Sequence, residues 1–138
     1  MAGPASTYKL CGIEDLSAEI RGSEQAIGGS KSNYFNYWLL GHVFHCLKFS
    51  QSDSEELAIT MRTAIAALIG ICPRDEIEGI IAAQIVATHD LTMRCFQRAT
   101  EEDQTFEGWR ECLNQANKLM RSCAALVDAL NRHRGKGQ

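Results

Sequence analysis

The sequence has no run of the roughly 20 apolar residues that a membrane-spanning helix needs. Its first residues, M-A-G-P-A-S-T-Y, also lack the basic and then apolar regions of a signal peptide. We therefore expect a cytoplasmic protein that makes no contact with a membrane. The formal net charge of -3 provides no general positive field, so nucleic acid is not an expected partner.

Catalytic signatures are missing as well. Apart from the stretch that holds His42, His45 and Cys46, nothing in the sequence has the pattern of a catalytic site. The six cysteines include no C-x-x-C pair, so we expect reduced, structural thiols rather than a redox or zinc motif. These absences predict a non-enzymatic protein without a cofactor.

What the sequence does contain is helical periodicity. No stretch alternates apolar and polar residues for long, whereas apolar residues at helical spacing recur in four segments. The sequence therefore predicts an all-α fold, a small helical bundle. The four predicted helices cover about 34–48, 55–71, 74–99 and 106 to about 134.

The N-terminal quarter of the chain has a different composition. Residues 22–33, G-S-E-Q-A-I-G-G-S-K-S-N, are rich in Gly and Ser and predict a loop. We expect residues 1–33 to be mostly irregular, with a possible short helix over I-E-D-L-S-A-E-I. Residues 34–138 are predicted to form a single helical domain.

Several residues mark where the predicted helices begin and end. Ser52 and Glu55 have the spacing of a capping box before the second helix. Pro73 suits the first turn of the third helix, where Asp75 would face the positive end of the helix dipole. Gly135 is predicted to adopt the left-handed conformation that closes the fourth helix.

The fourth predicted helix carries the strongest periodic signal in the chain. Eight apolar positions follow one another at alternating steps of three and four, and we expect Met120 and Cys123 to lie in the middle of this buried seam. A short polar stretch separates the third helix from the fourth, which predicts a long antiparallel hairpin with the two shorter helices packed on it. The seam consists of Phe106, Trp109, Leu113, Ala116, Met120, Cys123, Val127 and Leu130.

The first predicted helix is apolar or aromatic on two sides, which is typical of a helix buried in a core and an interface. One side carries Leu40, Val43, Phe44 and Leu47. The other side carries the interface or ligand candidates Trp38, His42, His45 and Phe49.

Three residues of that helix also have metal-ligand spacing. His42, His45 and Cys46 fall within an arc of about 100° and are able to face one ion. A tetrahedral site needs a further ligand, and no second His or Cys pair occurs in the sequence. We therefore predict a packing surface, with metal or ligand binding as the alternative.

A second polar group lies in the third predicted helix. Gln84, Thr88 and His89 follow one edge of its apolar stripe. Because buried polar groups need partners, we expect these side chains to bond across the hairpin to the fourth helix and to fix its register. A ligand pocket is the alternative interpretation.

The chain ends in a basic segment, N-R-H-R-G-K-G-Q. Cationic side chains at a helix C-terminus compensate the helix dipole, and they are also able to contact phosphate. Helix dipole compensation is the favoured interpretation of this segment.

Residues 72–138 carry segments that resemble a known family. The segments are C-P-R-D-E-I-E-G with the following A-A-Q and A-T-H, then D-Q-T-F-E-G, and H-R-G-K-G-Q. They are similar to uncharacterised proteins of alphaproteobacteria, often found in mobile-element-rich genomes. The resemblance implies no activity and no functional residue. Members of that family continue beyond the position of Gln138 into a Val- and His-rich, strand-like tail, so no tail-borne function is implied.

The sequence thus predicts a helical interaction or assembly protein. Its partner would be itself, most simply in a two-fold dimer, or another protein, because the apolar surface exceeds what one hairpin covers. One alternative is a metal- or ligand-binding helical protein. A helical hairpin followed by strands also resembles the oligomerising part of phage small terminase subunits, which makes a nucleic-acid packaging subunit the other alternative.

Overall fold

A computed structural model of the chain describes residues 13–47 and 54–135. All regular secondary structure within these two ranges is helical, so the predicted all-α fold is confirmed. The helices are α1 (Ile13–Glu19), α2 (Glu24–Gly28), α3 (Asn33–Leu47), α4 (Ser54–Ile71), α5 (Glu76–Ala99) and α6 (Phe106–His133). None of these helices is long and apolar enough to cross a membrane.

The four helices predicted from periodicity correspond to α3, α4, α5 and α6, with ends that differ by at most a few residues. The prediction of a loop over residues 22–33 is wrong in part, because α2 lies inside this range. Ser52 of the predicted capping box lies outside the described residues.

The chain divides into two compact units, residues 1–83 and 84–138, with the boundary inside α5. In the first unit α2, α3 and α4 pack together. The largest fully buried side chains of this unit include Leu16 of α1, together with Ile27, Val43, Phe44, Met61 and Leu68. The prediction that residues 34–138 form one domain stays a prediction.

A side-chain cap starts α5. The Glu78 backbone N–H donates to Asp75 Oδ1 at 2.8 Å, and the Arg74 N–H donates to Glu78 Oε1 at 3.3 Å. The contact of Asp75 is that of a helix N-cap, and it satisfies an N–H group that has no partner in the first turn of a helix, whereas Glu78 binds the residue before the cap. Pro73 lies ahead of the first turn rather than within it, as the helix begins at Glu76.

In the second unit, residues 100–105 connect α5 to α6. Thr105 begins α6, since its hydroxyl accepts the Gly108 N–H at 3.0 Å. Gly135 has the predicted left-handed conformation, with φ of 75°, and its N–H donates to the Arg132 carbonyl. The connection is short, and the antiparallel hairpin itself stays a prediction.

Candidate interaction surfaces

The two predicted sides of α3 have different environments. Leu40, Val43, Phe44 and Leu47 are all buried in the first unit. Trp38, His42 and His45 are exposed, and Phe49 lies outside the described residues. Within the single chain, α3 therefore buries one side only, and its second apolar side is open to a partner.

Tilted ring pairs run along the exposed side of α3. The ring centroids of Phe35 and Trp38 are 5.6 Å apart, and those of Trp38 and His42 are 4.5 Å apart. These distances fall in the range of favourable aromatic pairs. We name Phe35, Trp38 and His42 the aromatic row.

The metal-ligand candidates occupy the same side of α3. His42, His45 and Cys46 are all exposed. Among the described residues, their donor atoms do not all lie within 4.8 Å of one another, so one ion would require these side chains to reorient. The predicted packing surface stays a prediction, and metal binding stays its alternative.

The polar candidates of α5 lie in the second unit. Gln84 and His89 are exposed and Thr88 is half-buried. The Thr88 carbonyl accepts the hydroxyl of the buried Thr92 at 2.7 Å, which is a contact within the helix. The predicted role of Gln84, Thr88 and His89 in fixing the register of a hairpin stays a prediction.

A buried polar cluster in the first unit was not predicted from the sequence. The side chain of Asn36 on α3, only 2% exposed, contacts both backbone groups of Ser30. Its Oδ1 accepts the Ser30 N–H at 3.1 Å, and its Nδ2 donates to the Ser30 carbonyl at 2.9 Å. The Asn36 side chain thus satisfies both backbone hydrogen-bonding groups of Ser30. These two hydrogen bonds fix the loop between α2 and α3 on the core.

Ser30 extends this cluster to the start of α5. Its hydroxyl donates to Glu76 Oε1 at 2.7 Å and accepts the Ser32 N–H at 2.9 Å. The hydrogen bond from Ser30 is the main reason that the pKa of Glu76 lies below its usual range.

The other carboxylate of the cluster belongs to Glu24 on α2. It accepts the Gly22 N–H at 2.8 Å and the Tyr37 hydroxyl at 3.2 Å. Burial, followed by the nearby charge of Glu24, raises the pKa of Tyr37. Every buried side-chain N and O among the described residues has a hydrogen-bond partner, so the buried part of the cluster stabilises the fold.

Three glycines allow the backbones around this cluster to approach closely. A Cβ added at Gly28 would lie 2.2 Å from Asn36 Oδ1, and one added at Gly79 would lie 2.0 Å from the Gly28 carbonyl oxygen. Gly29 has φ of +84°, a conformation that favours glycine. The adjacent Gly28 and Gly29 are the sequence signal that indicates such a contact, although they do not identify its partner.

The apolar seam of α6 is divided into two rows. We name Phe106, Leu113, Met120 and Val127 the exposed row. Phe106 is 69% exposed, Met120 44% and Val127 42%, while Leu113 is half-buried. The covered row, also at steps of seven, consists of Ala116, Cys123 and Leu130, which are buried or half-buried.

This division corrects the prediction for the middle of the seam. Cys123 is half-buried, but Met120 is exposed in the single chain. At the start of α6 the ring of Trp109, itself 43% exposed, lies 5.7 Å from that of Phe106 and enlarges the apolar surface. Arg132 and His133 are exposed in the last turn, close to the negative end of the helix dipole.

The chain matches no protein-family model, no curated protein and no solved structure.

Proposed function

We propose that this protein is a non-enzymatic, cytoplasmic assembly module that associates with a second copy of itself. The observation that carries the proposal is the exposed row of α6. Residues spaced by seven lie almost on one line of a helix, so the row is a continuous apolar edge. Such edges pack against a second helix in coiled coils, with the side chains of each helix between those of the other.

The covered row explains why the second unit leaves this edge exposed. Ala116 and Leu130 are buried within the chain, so one side of the seam already has its contacts. The exposed row contributes to stability only when another helix packs on it. Removing this apolar area from water would favour association by about 25 cal/mol for each Å² buried, against the entropy cost of joining two chains.

The proposal is tested by placing a charge in the exposed row. Met120→Glu introduces a carboxylate at its centre, where a dimer would bury it without a partner. Ala125→Glu is the matched control, because Ala125 is exposed and lies about 140° around the helix from Met120. The mass of each protein in solution is measured by analytical ultracentrifugation over a range of concentrations.

We expect the unmodified protein and Ala125→Glu to dimerise with similar Kd values. Met120→Glu should raise the Kd at least about thirtyfold, which corresponds to roughly 2 kcal/mol. Circular dichroism should show both variants to be as helical as the parent. A parent protein that remains monomeric at high micromolar concentration, or a Met120→Glu protein that dimerises normally, would contradict the proposal.

A further inference from the structure

We propose that the second copy packs antiparallel on α6, with Arg110 of each copy paired to Asp128 of the other. This inference rests on the proposed function, since it specifies how the same exposed row is used. The antiparallel arrangement is inferred from the side chains that flank the exposed row of α6 and from the charges of those side chains.

The two flanks of the exposed row differ in burial. On one side, Arg110, Asn117, Ala124 and Asp128 are all exposed, and we name them the exposed flank. On the other side, Cys112, Leu119 and Leu126 are half-buried within the chain, and we name them the covered flank. Next to the exposed row, the open surface of α6 therefore lies on the side of the exposed flank.

Symmetry determines which flanks meet in a dimer. In a parallel pair the two-fold axis runs along the helices, so the exposed flank of one copy faces the covered flank of the other. In an antiparallel pair the axis crosses the helices, so the two exposed flanks face each other. The covered flank already has contacts in its own chain, and only the antiparallel pair joins open surface to open surface.

The charges on the exposed flank locate the axis. At 100° per residue, Arg110 and Asp128 both lie about 80° from Met120 on the same side of α6. An axis level with Leu119, midway between them, sets each Arg110 beside the partner's Asp128. Neither side chain makes an ion pair within the described residues, so both are available to a second chain.

The same axis also fits the apolar side chains together. With this axis, Met120 of each copy lies at the height of Lys118 of the other copy along the helix. It is therefore placed between Leu113 and Met120 of the other copy. The two exposed rows then interdigitate instead of placing one large side chain directly on another. Knobs-into-holes packing has this arrangement.

A charge exchange tests the pairing. R110E and D128R each replace two attractive contacts in the dimer by two repulsive ones, whereas R110E/D128R restores attraction with the charges reversed. The control R110E/E111R has the same net charge as the exchange variant. Its second substitution, however, lies on the exposed side of α6 away from the row. Dimer Kd values are measured by analytical ultracentrifugation in about 50 mM and about 500 mM salt.

In low salt we expect R110E and D128R each to raise the Kd about tenfold, and R110E/D128R to return it to within about threefold of the parent. R110E/E111R should remain about tenfold weaker, and all differences should shrink in high salt. Unchanged Kd values for the single variants would overturn the antiparallel pairing, as would equal rescue by the control or no rescue by the exchange. A parent protein that is monomeric throughout would instead overturn the proposed function itself.

Discussion

The two units of this protein use helices in different ways. In the first unit, short helices are joined by buried polar contacts and by backbones that touch through Gly28 and Gly79. In the second unit, α6 extends from Phe106 to His133, yet only Ala116 and Leu130 among its residues are buried. The first unit has a core of fully buried side chains, although one side of α3 is exposed, whereas the second unit buries few residues of α6 and leaves an apolar edge open.

This difference shows that periodicity and burial are separate properties of a helix. The seam of α6 is the most regular apolar pattern in the sequence, but half of it is exposed in the chain. The pattern of α3 is less regular, but one complete side is buried. A strong pattern indicates that a surface packs on something, and it does not indicate whether that surface packs within the chain or on another molecule.

The sharpest test of this comparison truncates one apolar side chain in each unit. Leu68 on α4 is 0% exposed, so Leu68→Ala should reduce the free energy of unfolding by about 2 to 5 kcal/mol at any protein concentration. Met120→Ala should lower the free energy of unfolding by about 1 kcal/mol in dilute solution. The decrease should be larger at concentrations where the parent is dimeric. Urea denaturation at two protein concentrations measures both. Equal losses that do not depend on concentration would remove the distinction between the units.

A second test adds a methyl group where the first unit has no space. Gly79→Ala should destabilise the protein by about 3 kcal/mol, because the new Cβ would lie 2.0 Å from a backbone oxygen that has little freedom to move. Gly70→Ala is the matched control in α4, where no neighbouring atom lies within 4 Å of the added Cβ. This control should raise stability by about 0.5 kcal/mol through helix propensity. Thermal or urea denaturation compares the two variants, and similar behaviour would mean that α2 and α5 are not in contact at this point.

The smallest expected effect concerns the response of the first unit to acid. The hydrogen bond from Ser30 lowers the pKa of Glu76. The contribution of this hydrogen bond to the free energy of unfolding is therefore complete above the usual pKa of a glutamate. It is lost as the pH falls through the lowered value. Ser30→Ala should therefore destabilise the protein more at pH 7 than at pH 3. The same difference should be absent for Thr92→Val, which removes a buried hydroxyl bonded to a backbone carbonyl. An identical loss at both pH values for Ser30→Ala would show that the two side chains are not coupled.

The helices themselves could be predicted from the sequence, and for a physical reason. Apolar residues at steps of three and four require one side of a helix to leave water, so α3 to α6 are visible in the pattern. Helix ends were also predictable where a single local residue fixes them, through the carboxylate of Asp75 or the left-handed backbone of Gly135. Such signals need only a few neighbouring residues.

The polar cluster could not be predicted, since it depends on residues distant in the sequence. Nothing near Ser30 indicates that its hydroxyl contacts Glu76, and nothing near Asn36 indicates that its side chain binds the backbone of Ser30. The exposure of Met120 was missed for a related reason. Periodicity places it in the seam, but the covered edge of the seam is determined by tertiary contacts.

The contact between Ser30 and Glu76 also bears on the order in which the first unit folds. The two residues are 46 positions apart, so their hydrogen bond closes a loop that contains both α3 and α4. Closing a loop of that length lowers the entropy of the chain before any stabilising contact forms. The turns of α6, in contrast, form from residues close in sequence. We expect helices to form early and the joining of α2 to α5 to be a late event. Weakening this joint should then accelerate unfolding and leave the rate of folding nearly unchanged.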